Sequence, residues 1–129
     1  TTPGDLGIFN ADGTITLVGR GSLVINTGGE KVSPEEVDDV IKELPEVDDC
    51  LTIGMPDDTY GQIVSAVVQL RAGAELEPEA VTEWVRSKLA RYKAPRRVFF
   101  VDRVPRLPNG KADYPGAREL ADTRFAAQA

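Results

Sequence analysis

The chain has 129 residues, 41% of them hydrophobic and 28% charged, which suits one small domain with a modest core. It contains no histidine and a single cysteine, so the commonest metal ligand, the usual base at neutral pH and any internal disulfide are all excluded. It carries no apolar run of membrane-spanning length and no signal-peptide pattern, and its net charge of −6 opposes non-specific binding to duplex nucleic acid.

The chain begins at Thr1 and its only methionine is Met55, so it is expected to be a piece of a longer protein. Gly7 to Val18 reads as a β-hairpin. Ile8-Phe9 and Ile15-Thr-Leu-Val18 flank Asn10-Ala-Asp-Gly13, and Asp12-Gly13 is a good turn pair. Gly19-Arg-Gly-Ser22 breaks the pattern as a connector, Leu23-Val-Ile25 is a short strand, and Thr27-Gly-Gly-Glu30 is a second glycine-rich turn. A helix then starts with Ser33 as N-cap, Pro34 at the first helical position and Glu36 completing a capping box. Val37, Val40, Ile41 and Leu44 form its apolar stripe, its acids read mostly as solvated surface, and Pro45 stops it.

Val47 to Met55 and the β-branched run Ile63 to Leu70 are expected to pair antiparallel around the loop Pro56 to Gln62. Cys50, beside Asp48 and Asp49, reads as a small, partly buried residue held in a reducing, cytoplasmic compartment. A second helix opens at Pro78 with a staple between Leu76 and Val81. It presents Val81, Trp84, Val85 and Leu89 to the core and ends at Ala94-Pro95. Val98-Phe-Phe-Val101 is a third core strand. The loop Asp102 to Asp113 follows, then a terminal helix from about Pro115 to Leu120 and a frayed end. The sum is α+β: a small, mainly antiparallel sheet of about three core strands flanked by helices and preceded by a β-hairpin.

Charge is segregated along the chain. Glu30 to Asp49 holds nine acids, whereas Arg86 to Lys111 holds nine cations against the single acid Asp102. Such asymmetry is consistent with a surface built for an anion, or with a solvated helix face and its loop. Surface aromatics interleaved as in single-strand binders are missing from the basic stretch.

Three segments carry chemistry. Asp5, in Thr2-Pro-Gly-Asp5-Leu-Gly7, is a carboxylate on a glycine turn, suited to accept hydrogen bonds from vicinal hydroxyls. Gly19-Arg20-Gly-Ser22 and Thr27-Gly28-Gly29-Glu30 offer close backbone approach, hinge freedom and a planar guanidinium. Pro105-Arg-Leu-Pro-Asn-Gly-Lys111-Ala-Asp113 sets a lysine behind a tight turn, as a mobile point charge at a loop tip.

In this order and spacing the motifs match one pattern. They are Gly4-Asp-Leu-Gly7, Phe9-Asn-Ala-Asp-Gly13, Gly19-Arg20, Gly28-Gly-Glu30, Pro34-x-Glu36, Gly54-Met-Pro-Asp57, Tyr92-Lys-x-Pro95-Arg and Pro105-x-x-x-x-Gly-Lys111. The chain resembles the C-terminal portion of the adenylate-forming acyl-CoA synthetase superfamily, which also contains luciferases and peptide-synthetase adenylation domains. Within it, Ile25-Asn-Thr-Gly-Gly-Glu-Lys-Val32 and Pro108-Asn-Gly-Lys-Ala-Asp-Tyr114 look most like actinobacterial fatty-acid and steroid side-chain CoA ligases.

The resemblance implies a two-step enzyme. A fatty or steroid-derived carboxylate attacks ATP to give acyl-AMP and pyrophosphate, and CoA then displaces AMP. A small C-terminal domain rotates between the steps. By the same resemblance Asp5 and Arg20 bind the nucleotide and Ser22 lies at the hinge, where the family usually has an Asp or Lys. Gly28, Gly29 and Glu30 line the pantetheine tunnel. Tyr92, Lys93, Arg96 and Arg97 face the CoA nucleotide, and Lys111 stabilises the adenylation transition state. Residues 1–21 would be the tail of the large N-terminal domain, 22–122 the mobile domain and 123–129 a frayed tail. The phosphate loop, the acyl pocket and the Mg2+ that accompanies ATP would belong to the large domain, so this chain alone is expected to be inert. The alternative is an adenylating enzyme that loads a carrier-protein phosphopantetheine; the extended basic run favours free CoA.

Overall fold

The computed structural model describes Leu17–Val18 and Ser22–Gln128. The expected hairpin over residues 7–18 lies outside these apart from β1 (Leu17–Val18), which pairs antiparallel with β2 (Ser22–Leu23). Asp5 and Arg20 also lie outside the described residues. The strand read as Leu23–Ile25 is divided, and its second part forms a tight hairpin that the sequence reading did not contain: β3 (Ile25–Thr27) against β4 (Glu30–Val32). Gly28 and Gly29 turn it with φ of 58° and 89°, the two successive positive values that a two-residue hairpin loop demands.

The main sheet has three strands in the order β5 (Val47–Asp57), β6 (Gly61–Leu70), β7 (Arg97–Val101). β5 and β6 pair antiparallel as expected, while β7 runs parallel to β6. A parallel neighbour requires a crossover, and α2 (Pro78–Lys88) with a short 3-10 turn (Arg91–Lys93) supplies it. The second helix therefore ends earlier than the sequence suggested. Leu89 leaves it in an extended conformation and packs on the core shared by α2 and α1 (Pro34–Ile41).

Both faces of the sheet are covered, and from Cys50 onward side chains alternate between them, after an irregularity in β5 between Val47 and Asp49. Cys50, Val64, Ala66 and Val68 meet Val37 and Ile41 of α1 and Val81 and Val85 of α2 on one face. Leu51, Ile53, Met55, Ile63, Val67 and Phe99 meet Tyr114, Ala117 and Ala121 of α3 (Tyr114–Gln128) on the other. Burial on two sides explains why Cys50–Met55 of β5 and Ile63–Val68 of β6 carry no charged residue. Trp84 is only half-buried; its indole donates to the Val40 carbonyl at 2.7 Å and ties α2 to α1.

Three further features depart from expectation. The capping box at Ser33 does not form: Ser33 Oγ donates to Glu35 Oε1 at 3.1 Å, and Glu36 is taken by Lys93 instead. Asp38 is not a solvated acid; it lies inside the core at 4% exposure. The terminal helix continues to Gln128, through residues read as frayed, because nothing after Asp122 breaks it. Arg118 and Asp122 pair at 3.4 Å along it, and the Arg97 guanidinium stacks on Phe125 at 3.8 Å.

Candidate functional site

Lys111 sits at the tip of a small hairpin whose sequence dictates its shape. Pro108, Asn109 and Gly110 occupy successive turn positions: Gly110 N–H donates to the Leu107 carbonyl at 2.8 Å, and Gly110 takes φ of 88°. Leu107 N–H then closes on the Lys111 carbonyl at 2.9 Å, and Asn109 Oδ1 accepts from Lys111 N–H at 3.0 Å. A bridge between Arg106 and Ala112 completes the stem. The Arg106 guanidinium grips Asp49 with both arms, at 2.6 and 3.0 Å, and this pairing raises its pKa above the ordinary range. Lys111 itself is exposed.

A second feature lies at the other end of the β5–β6 hairpin. The β3–β4 turn is fastened there, with Gly28 N–H donating to the Tyr60 carbonyl at 2.9 Å and Asn26 N–H to Gln62 Oε1 at 2.8 Å. Gly54 leaves the room Gln62 needs, since a Cβ there would stand 2.8 Å from its amide. Between this turn and α2 opens a cleft of about 740 Å3. Thr27, Gly28, Glu30 and Tyr60 form one side, and Thr82, Arg86, Arg91, Tyr92, Ala94, Pro95 and Arg96 the other. Thr82 Oγ1 donates to the Pro95 carbonyl at 2.9 Å, which holds the proline turn against α2. Tyr92 is exposed, and Arg96 lies over the Tyr60 ring at 4.4 Å. An aromatic pair, three arginines and a glycine turn on one concave surface suit a flat ring joined to phosphates.

Four of the residues singled out from the sequence, Gly28, Glu30, Tyr92 and Arg96, are thus brought together in one cleft. Gly29 is in the same turn but outside the lining. Lys93 faces Glu36 at 2.8 Å, which holds its ammonium above the usual pKa. Arg97 points to the opposite face of the sheet, onto Phe125 and toward Met55 Sδ at 3.8 Å. Ser22 pairs with Val18 in the β1–β2 ladder. Tyr60, Arg86 and Arg91 complete the cleft without having been singled out, although the Asp57 to Gly61 turn and the cationic run were the signals for them. Among the described residues no group of three or more His, Cys, Asp or Glu side chains could hold a metal ion, and no helix is long and apolar enough to cross a membrane.

The two features stand at opposite ends of one hairpin. Asp49, which anchors the Lys111 stem, and Asp57, next to the Tyr60 turn, are eight residues apart on β5, roughly 26 Å at the usual rise of an extended strand.

The described residues thus form a three-stranded mixed sheet between helical layers, with a lysine hairpin at one end and a basic cleft at the other. Residues 36–111 match the family described as AMP-binding enzyme C-terminal domain, and the chain belongs to that family. It is 49% identical over 122 residues to a 3-oxocholest-4-en-26-oate–CoA ligase of Rhodococcus rhodochrous, covering 95% of this chain and 22% of the relative. It is 50% identical, with the same coverage, to a medium/long-chain-fatty-acid–CoA/3-oxocholest-4-en-26-oate–CoA ligase of Mycobacterium tuberculosis. A solved fatty acyl CoA synthetase of Mycobacterium tuberculosis superposes with a TM-score of 0.74 at 34% identity, covering 94% of this chain and 24% of that one. The chain therefore spans under a quarter of the length of these relatives.

Proposed function

We propose that this chain is the mobile C-terminal domain, residues 22–122 at least, of an AMP-forming ligase that joins a fatty or steroid-derived carboxylic acid to CoA. The observation that carries this reading is the placement of the Lys111 hairpin and the basic cleft at opposite ends of β5 and β6. A rigid domain with this layout offers one end, then the other, to a single active site when it rotates about a hinge near Ser22. With the first end inward, the Lys111 ammonium stabilises charge as the carboxylate attacks the α-phosphorus of ATP and pyrophosphate leaves. With the second end inward, Gly28, Gly29 and Glu30 border the path of the pantetheine arm. Tyr92 stacks on the CoA adenine, and Arg96, with Arg86 and Arg91, pairs with its phosphates. Lys93 reaches the same phosphates after release from Glu36, while Arg97, on the opposite face of the sheet, stays outside the cleft.

The likeness to curated CoA ligases at about half identity supports this assignment over the loading of a carrier protein. Asp5 and Arg20 contact the nucleotide from residues 1–21, the tail of the large domain. Mg2+ enters with ATP through that large domain, which also holds the acyl pocket, and the work is cytoplasmic. This chain alone is inert. The test is a product assay on the complete ligase with ATP and a long-chain fatty acid. Free CoA is expected to give acyl-CoA and AMP, and a phosphopantetheinylated carrier protein in its place to give no thioester. Thioester formed only on the carrier would overturn the reading.

A further inference from the structure

The hairpin that carries Lys111 is not held at its tip, because every residue from Leu107 to Lys111 is exposed. Its position is set by its two roots. The first is the Arg106–Asp49 pair. The second is Tyr114, the first residue of α3 and three positions beyond Lys111, whose hydroxyl donates to Asp38 Oδ2 at 2.6 Å inside the core. Asp38 Oδ1 accepts the Thr52 N–H, also at 2.6 Å. β5 is an edge strand, so this N–H faces away from β6 and has no strand partner. One carboxylate thus joins α1 on one face of the sheet, the free edge of β5, and the helix on the other face that begins where the Lys111 loop ends.

This arrangement is costly as packing alone. A carboxyl group buried beside the Cys50 thiol loses its hydration, and desolvation pushes its pKa up to about 7. An apolar side chain of similar size would fill the site at less cost. What the carboxylate provides, and a methyl group cannot, is a directional tie. Both of its oxygens are engaged, so the start of α3 is fixed in rotation as well as in distance.

We propose that Asp38, acting through Tyr114, is a positioning residue for the adenylation step, holding the root of the Lys111 hairpin so that the ammonium arrives in register with the reacting phosphate. The proposal rests on the reading of Lys111 given above. Neither Asp38 nor Tyr114 touches a reactant.

The test uses the complete ligase with Tyr114→Phe, which keeps the ring in the α3 core and removes only the hydroxyl, and Asp38→Asn. Acyl-AMP formation is expected to fall about tenfold in kcat with little change in KM, while thioester formation from supplied acyl-AMP stays within about twofold of the parent. In a Lys111→Ala background, Tyr114→Phe should add no further loss, because the two act as one unit. Equal losses in both half-reactions, or an additive loss in the Lys111→Ala background, would mean a general loosening of the domain and would overturn the proposal. So would normal acyl-AMP formation by Tyr114→Phe while Lys111→Ala is deficient, which leaves the reading of Lys111 intact. Full acyl-AMP formation by Lys111→Ala would overturn both. If Asp38→Asn does not fold, Tyr114→Phe decides alone.

Discussion

The most consequential single side chain here is an aspartate hidden in an acidic run. The buried set on α1 is Pro34, Val37, Asp38 and Ile41, an i, i+3, i+4, i+7 stripe with a carboxylate in it. Reading the stripe as Val37, Val40, Ile41 and Leu44 left Asp38 outside, among its acidic neighbours. Its partners, Thr52 and Tyr114, lie 14 and 76 positions away, and no local pattern announces them. Burial raises the Asp38 pKa from 3.8 to about 7, against hydrogen bonding from Thr52 and Tyr114 and the Lys42 charge, which lower it. The Tyr114 hydroxyl and the Cys50 thiol facing it are pushed up as well and stay protonated, and Arg106 lies close enough to feel its charge. Between these two values the folded chain keeps a proton that the unfolded chain has lost. The stability contributed by this group is full below the unfolded value and lost as pH rises through about 7. Denaturant unfolding of the parent and of Asp38→Asn should show the parent losing stability, relative to the variant, from about pH 4 to about pH 7, and no further change above about pH 8. A difference that stays flat or rises with pH would contradict the burial argument.

At the scale of elements, what was legible is what local chemistry decides. Pro34 at the first helical position, the β-branched run of β6, and Pro108-Asn109-Gly110 at the Lys111 turn each took the conformation their residues favour. What was not legible depended on distant partners. Glu36 left its capping role for Lys93, β7 ran parallel to β6, and α3 continued along the sheet to meet Arg97. The β3–β4 turn shows both sides of this. Its glycines were evident, but its docking on Tyr60 was not. Gly28 has φ of 58°, and an added Cβ would lie 3.3 Å from Tyr60 Cδ1. Gly28→Ala should therefore lower stability by about 1–2 kcal/mol, the usual cost of a left-handed alanine. Because this turn borders the cleft, the substitution should also raise the KM for CoA. Chemical denaturation and CoA titration of the complete ligase check the two effects, and a variant unchanged in both would show that the turn is not held as described.

At the scale of the whole molecule, the Lys111 hairpin and the basic cleft lie at opposite ends of the β5–β6 pair. Two helical layers pack both faces of a three-stranded sheet, so the roughly 26 Å between the Asp49 anchor and the Tyr60 turn is set by an extended strand within the core. The order of glycine, proline and lysine motifs along the chain disclosed the family. It did not disclose that the Lys111 hairpin and the basic cleft are separated by a strand length, because that separation follows from pairing and not from motif spacing. The measurement that tests this account most directly compares Lys111→Ala with Arg96→Ala in the complete ligase, each assayed for acyl-AMP formation and for thioester formation from supplied acyl-AMP. The account predicts a crossed result: Lys111→Ala loses about a hundredfold or more in the first reaction and little in the second, while Arg96→Ala keeps the first and loses CoA affinity in the second. Both variants failing in the same half-reaction, or each failing equally in both, would contradict it.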